Sequence, residues 1–203
     1  MIVFPIAYFG SIAYYQEIAR HEAIRIEAKE HFPKQTYRNR CDIVGSDGIL
    51  SLSIPTKKKN GSKTATEDIL LSNDENWRIR HWRAINSAYH SAPFFDYYGI
   101  EVKELLLNDE QNFLTYQLNI TKRILSWLDL EITINSTEEF YPMKENDFRT
   151  DLVGKNNFQE ISPAPYIQVF PGENNYKKSL SILDAIFCEG PMARNLITNS
   201  TKK

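Results

Sequence analysis

Strand-like and helix-like segments alternate along this chain. That predicts an α/β class protein, a single domain with a small mixed β-sheet flanked by helices, over residues 1–198 with a frayed tail at 199–203. Three observations carry the expectation. The opening reads strand, helix, strand, which makes parallel neighbours through a right-handed crossover. A two-strand segment around Gly45-Ser46-Asp47-Gly48 reads as an antiparallel hairpin. Residues 113–128 then form a strongly amphipathic helix followed at once by EITINS, a further strand.

Taken in order, IVFPI (2–6) is a short strand that Pro5 cuts early. Phe9, Ile12, Tyr15 and Ile18 recur at helical spacing over 9–20, and AIRIEA (23–28) alternates as a half-buried strand. KQTYRNR is a polar loop or edge strand leading into CDIV, the glycine turn, and ILSLSIP. The Lys-rich stretch 55–66 reads as an exposed loop, with a mobile lid as the sharper alternative. Ser72-Asn73-Asp74-Glu75 has the spacing of a capping box and opens a helix to about Ser91, which Pro93 ends. Phe94, Phe95, Tyr97 and Tyr98 form an aromatic knot before another helical turn, VKELLL. Residues 137–164 are polar and irregular, and PYIQVF (165–170) reads as a strand. Ser181-Ile182-Leu183-Asp184 repeats the capping-box spacing, and Gly190-Pro191 stops that helix and starts another.

A chain of 203 residues buries enough surface to fold without disulfides or metal. Cys41 and Cys188 lie in apolar periodic segments, as reduced core thiols of a cytoplasmic protein do. The N-terminus lacks a basic leader and a cleavage site, and no stretch reaches the roughly 20 apolar residues of a membrane span. Net charge is −2, which excludes a broad attraction to nucleic acid. The phosphate loops, the G-x-S-x-G elbow and preformed zinc spacings are absent. No residue pattern assigns a cofactor or an oligomeric state.

Three constellations remain. Lys34, Arg38 and Arg40, with Tyr37 and Asn39 between them, can hold phosphate or carboxylate through guanidinium forks. The same segment can instead pair with local acids, for example Glu27, Glu30 or Asp42. Second, Trp77, His81, Ile85 and Ala88 share one helix face, and Arg78, Trp82, Asn86 and Tyr89 share the adjacent one. Indoles interleaved with Arg and His suit the wall of a cleft, with His81 as general base, or a buried face covered by arginine stems around a core histidine. Third, Asp184 is either a helix-capping carboxylate or a group that orients a substrate hydroxyl.

These segments resemble the WbqC-like proteins, bacterial chains often linked to O-antigen and other surface-polysaccharide genes. The likeness rests on VFPIAYFGSIAYYQEIA, KQTYRNR, NWRIRHWRAINSAYHSAPFFDYY and SLSILDAIFCEGPMA, and the form with TYRNR looks most like a Bacteroidetes branch. The family pattern is matched at Asn39, Arg40, Trp77, Arg78, His81, Tyr89 and Asp184. It is broken where many relatives carry His-Gln-Pro-Asn after the first strand, since Phe4, Pro5, Ile6 and Ala7 stand there. A Gly-rich Y-L-S-G segment of many relatives is replaced by 137–164. The resemblance implies an acyl, aminoacyl or other group transferase acting on a nucleotide-linked amino sugar or similar anionic metabolite. On that reading His81 is catalytic, and Tyr37, Arg38, Asn39, Arg40, Trp77, Arg78, Trp82, Tyr89 and Asp184 bind substrate. The alternative is a non-catalytic binding or scaffold protein that keeps an anion cleft.

Overall fold

The computed structural model describes residues 2–33, 36–142, 147–149, 152, 164–170 and 180–199. Its elements confirm the α/β class, and they arrange the strands in three small sheets. The first is parallel, in the order β1 (Val3–Phe4), β2 (Ala23–Ile26) and β7 (Thr133–Ser136). The second is the hairpin β3 (Arg40–Gly45) and β4 (Gly48–Ser53), and the third pairs β5 (Thr56–Lys57) with β6 (Leu70–Leu71). Parallel and antiparallel strands coexist, as a mixed sheet requires, but in separate ladders.

The crossover helix α1 (Ile12–Ile18) starts one turn later than the sequence spacing suggests, because Ser11 caps it by accepting the Tyr14 N–H at 3.1 Å. The hairpin register is as the sequence implies, with Gly45 opposite Gly48 and Gly48 at φ 109°, a conformation that favours glycine. In 55–66, by contrast, Thr64 and Thr66 are buried, and Thr66 N–H bonds the Glu30 carbonyl at 3.0 Å. Lys57, Lys59 and Lys63 stay in water, while Lys58, donating to the Phe32 carbonyl at 2.9 Å, and the two threonines tie the stretch to the body of the protein.

Two expected helix starts are corrected. Helix α2 (Trp77–Tyr89) begins at Asn76, not at Ser72. The Ser72 hydroxyl donates to Asp74 at 2.8 Å, and the Ser72 carbonyl accepts the Trp77 indole N–H at 2.9 Å, so a turn precedes the helix. The aromatic knot is itself the first turn of α3 (Phe95–Leu107), because Phe95 and Tyr98 point inward at the same spacing as Val102 and Leu106. Helix α4 (Phe113–Trp127) matches the expected span, capped by Asn112. The strand expected at 165–170 is not one: Tyr166 and Gln168 are buried, but they bond to side chains instead of a ladder. Most of 137–164, with Lys34 and the tail from 200, lies outside the described residues.

At the C-terminus α5 (Ile182–Glu189) and α6 (Ala193–Thr198) flank a short turn at Gly190–Met192. Gly190 has φ 55°, and a Cβ there would stand 2.4 Å from the Phe94 ring. One contiguous core runs from Phe4 and Tyr14 through Trp77, Ile85, Phe113 and Ile120 to Phe187. Ile182 N–H bonds the Gly10 carbonyl at 2.9 Å and Ser181 N–H the Asp42 carbonyl at 2.8 Å. Together these bonds draw the start of α5, the loop after β1 and strand β3 into one place.

Candidate functional site

The T-Y-R-N turn at 36–39 is held from three directions. Tyr8 N–H donates to the Tyr37 carbonyl at 3.2 Å, and Gln117 Nε2 to the Arg38 carbonyl at 2.9 Å. Asn39 exchanges two bonds with Ile54, side chain to carbonyl at 2.9 Å and N–H to carbonyl at 2.8 Å. A chain turned so tightly sends successive side chains in different directions. Arg38 goes inward and Arg40 goes to a cleft.

That cleft is lined by Tyr8, Gly10, Ser11, Tyr37, Arg40, Asp42 and Ser181. Its free volume, about 10 Å³, has room for one water or one ligand oxygen. The Arg40 guanidinium lies 4.8 Å over the Tyr37 ring, and its buried Nε has no partner among the described residues. A guanidinium N–H out of water without an acceptor is unfavourable. Tyr37 donates to Asp42 at 2.6 Å, and burial, followed by this hydrogen bond and the Asp42 charge, pushes its hydroxyl up to about 12. Ser51 also donates to Asp42. The pair thus offers a phenol that stays neutral at neutral pH, hydrogen-bonded to a carboxylate.

Behind the cleft stands His81, with Nδ1 2.9 Å from the Tyr8 hydroxyl. A hydrogen bond with the Ser53 backbone opposes the effect of burial on its pKa. Burial pulls its pKa down to about 4, so the imidazole is neutral at physiological pH. Trp77 packs edge-on against it with centroids 5.2 Å apart. His81 therefore reaches the cleft through Tyr8, which lines it.

The remaining expected site residues sit elsewhere. Arg38 is 3% exposed, and its Nε and Nη2 grip both oxygens of Glu30 at 2.7 and 3.1 Å. Arg78 spans the end of α3, donating to the carbonyls of Leu106 at 3.1 Å and Glu110 at 2.7 Å, with Trp77 and Tyr116 beneath its plane. Trp82 stacks on Phe95 at 6.0 Å, outward from His81. Tyr89 and Asp184 meet in a buried cluster with Tyr166 and Gln168. Asp184 does not complete a capping box; Ser181 caps α5 alone, accepting from Leu183 N–H at 3.3 Å.

A second polar assembly closes the carboxyl ends of the parallel strands, where ligands of α/β sheets bind. Glu27, just past β2, takes bonds from Thr137 at 2.7 Å, from Tyr141 N–H at 3.2 Å and from Arg149 at 3.3 Å. Arg149 also pairs with Asp147, and its carbonyl accepts from Arg38 at 3.1 Å. The strand-end run Phe4-Pro5-Ile6-Ala7 is buried and apolar, as its sequence implies.

Across residues 7–156 the chain matches the profile of the WbqC-like protein family. It belongs to that family. The match includes the Tyr8 loop, the Tyr37–Asp42 segment and all of α2. This WbqC-like chain is also similar to a Mycobacterium tuberculosis protein named "Uncharacterized protein Rv1507c", 22% identical over 92% of this chain and 89% of the relative. No solved structure matches it. Of the residues where the WbqC-like pattern was expected, Arg40 lines the cleft, Asn39 fastens the neighbouring turn to Ile54, and Trp77 and His81 support the cleft from behind through Tyr8. Arg78 fastens α2 to α3. Tyr8 was not singled out from sequence, and Ser181 was read only as a helix cap. Both lie in loops opening a helix, and the apolar run around Tyr8 hid its hydroxyl.

No helix among the described residues is long and apolar enough to cross a membrane. No group of three or more His, Cys, Asp or Glu side chains is arranged to hold a metal ion among them either.

Proposed function

We propose that this WbqC-like chain serves bacterial surface-polysaccharide metabolism by binding an anionic small molecule of the nucleotide-linked amino sugar class at the Arg40 cleft. The observation that carries this reading is the buried, unpartnered Arg40 Nε beside Tyr37 and Asp42. Arg40 takes a phosphate oxygen, for which the cleft has room. Asp42 and Tyr37 meet a ligand hydroxyl or amine. In a group transfer, the Tyr8 hydroxyl contacts the ligand and His81 accepts its hydrogen bond, so His81 acts as a positioning residue.

A second reading, a non-catalytic binding protein, draws on the same histidine. With both ring nitrogens engaged and a pKa near 4, His81 is a weak base at neutral pH. Thermal shift with nucleoside diphosphate sugars, nucleoside diphosphates and inorganic phosphate tests the first claim. At least one probe should raise the melting temperature, and Arg40→Gln should weaken that probe about tenfold, the scale of one charge-assisted bond of ~1.4 kcal/mol. Indifference of the unmodified protein to every probe removes the anion site. Incubating a bound nucleotide sugar with acyl donors and following it by NMR separates the readings: turnover supports the transferase, and shift without turnover supports the binder.

A further inference from the structure

Asp184 is fully buried, and one of its oxygens, Oδ1, has no partner among the described residues. The other oxygen accepts from the Tyr166 hydroxyl and, at 2.8 Å, from Gln168 Nε2. Gln168 also donates to the Tyr166 oxygen at 3.1 Å. Tyr89, whose oxygen accepts Val44 N–H at 3.5 Å, faces the same carboxylate. A structural aspartate is ordinarily met by fixed backbone donors. Here two of the donors ride on one short strap, 164–170.

The strap is held in an unusual way. No backbone–backbone hydrogen bond among the described residues fastens it. Ile167 N–H reaches the Glu189 side chain at 3.2 Å, and the Ile167 side chain itself is 82% exposed. Among the described residues the strap's hydrogen bonds all run through side chains, and a segment without a backbone ladder opens at lower free energy than the core. Its hydroxyl and amide enter the pocket as the hydroxyl and acetamido groups of a sugar would.

Position links this pocket to the Arg40 cleft. Asp42 and Val44 are two residues apart on β3, about 6.6 Å along the strand. Ser181 of the cleft and Asp184 of the pocket lie on the same first turn of α5. The two sites are thus neighbours on both walls.

We infer that Asp184 and Tyr89 form a sugar subsite beside the Arg40 cleft, which the 164–170 strap fills in the unliganded protein and a ligand's hydroxyl and amide groups take over. The inference rests on the anion reading of the Arg40 cleft and names the neutral half of the same ligand. The carboxylate is the acceptor, and the displaced Tyr166 and Gln168 return to solvent.

Calorimetry with UDP-N-acetylglucosamine and UDP as probes tests it on the full chain. Asp184→Asn should weaken the sugar nucleotide at least tenfold and leave UDP within twofold, whereas Arg40→Gln weakens both. Tyr166→Phe, which keeps the ring and removes the competing donor, should tighten the sugar nucleotide several-fold without changing UDP. This second variant carries the test alone if Asp184→Asn does not fold. Equal effects on both probes, or none on the sugar nucleotide from either variant, overturn the subsite while the anion cleft stands. Loss of all binding by the unmodified protein overturns both.

Discussion

Arg38 and Arg40 are two residues apart, yet they live in different physical worlds. Arg38 is buried in a bidentate pair with Glu30, and that pair joins Glu27, Asp147 and Arg149 at the strand ends. Arg40 lies at a partly open cleft with a donor to spare. The contrast teaches that a basic cluster in a sequence is not one unit. A tight turn splits it, and the half that finds a carboxylate inside becomes structure.

The largest effect should come from breaking the buried half. Arg38→Ala strands Glu30 without its partner and should destabilise the protein by about 3–5 kcal/mol in denaturant unfolding. Burial already raises the Glu30 pKa against the pull of Arg38, so the variant's loss should lessen at acid pH as that carboxyl protonates. Replacing the pair together, with Arg38→Met and Glu30→Met, should recover most of the loss, since an apolar isostere needs no counter-charge. A double variant as unstable as Arg38→Ala would show that the pair does more than neutralise itself.

Next in size is the titration of His81. Its folded pKa, about 4, lies below the ordinary 6.5, so the unfolded chain binds the proton first as pH falls. The stability tied to the neutral ring is complete above pH 6.5 and is lost as pH falls through 4. The difference approaches about 3 kcal/mol at 1.36 kcal/mol per pKa unit. Unfolding of the parent and of His81→Gln should converge over that window. Parallel pH curves would place the ring in water. A smaller effect belongs to Ser181, where Ser181→Ala removes the α5 cap and should cost about 1 kcal/mol. Smallest on stability is Arg40→Gln, within about 1 kcal/mol because only guanidinium contacts with Tyr37, the stacking over its ring and a side-chain hydrogen bond, are lost. A loss as large as that of Arg38→Ala would dissolve the contrast between the two arginines.

Much of the fold was legible because it follows from local pattern. The α2 face Trp77, His81, Ile85 and Ala88 is buried as its spacing implies, and Gly45 and Gly48 set the hairpin register. Ser72 misled because the capping spacing it shares with Glu75 is also that of a polar turn, and the Trp77 indole claimed its carbonyl. The 165–170 segment alternates like a strand, but alternation records burial on one side and says nothing of a neighbour to pair with. The WbqC-like likeness was legible in residues that pack against one another across the core. The cleft was legible only in part: Tyr37 and Arg40 stood out by type, while Tyr8 was concealed in an apolar run.

The sequence by itself determined the α/β class, the hairpin, the long helices and the buried face of α2, because hydrophobic period and turn chemistry act between near neighbours. Tertiary structure alone decided which guanidinium is neutralised, that His81 is held behind Tyr8, and that Tyr166 and Gln168 close over Asp184. Those outcomes depend on which distant groups meet out of water, where one missing partner outweighs any local preference.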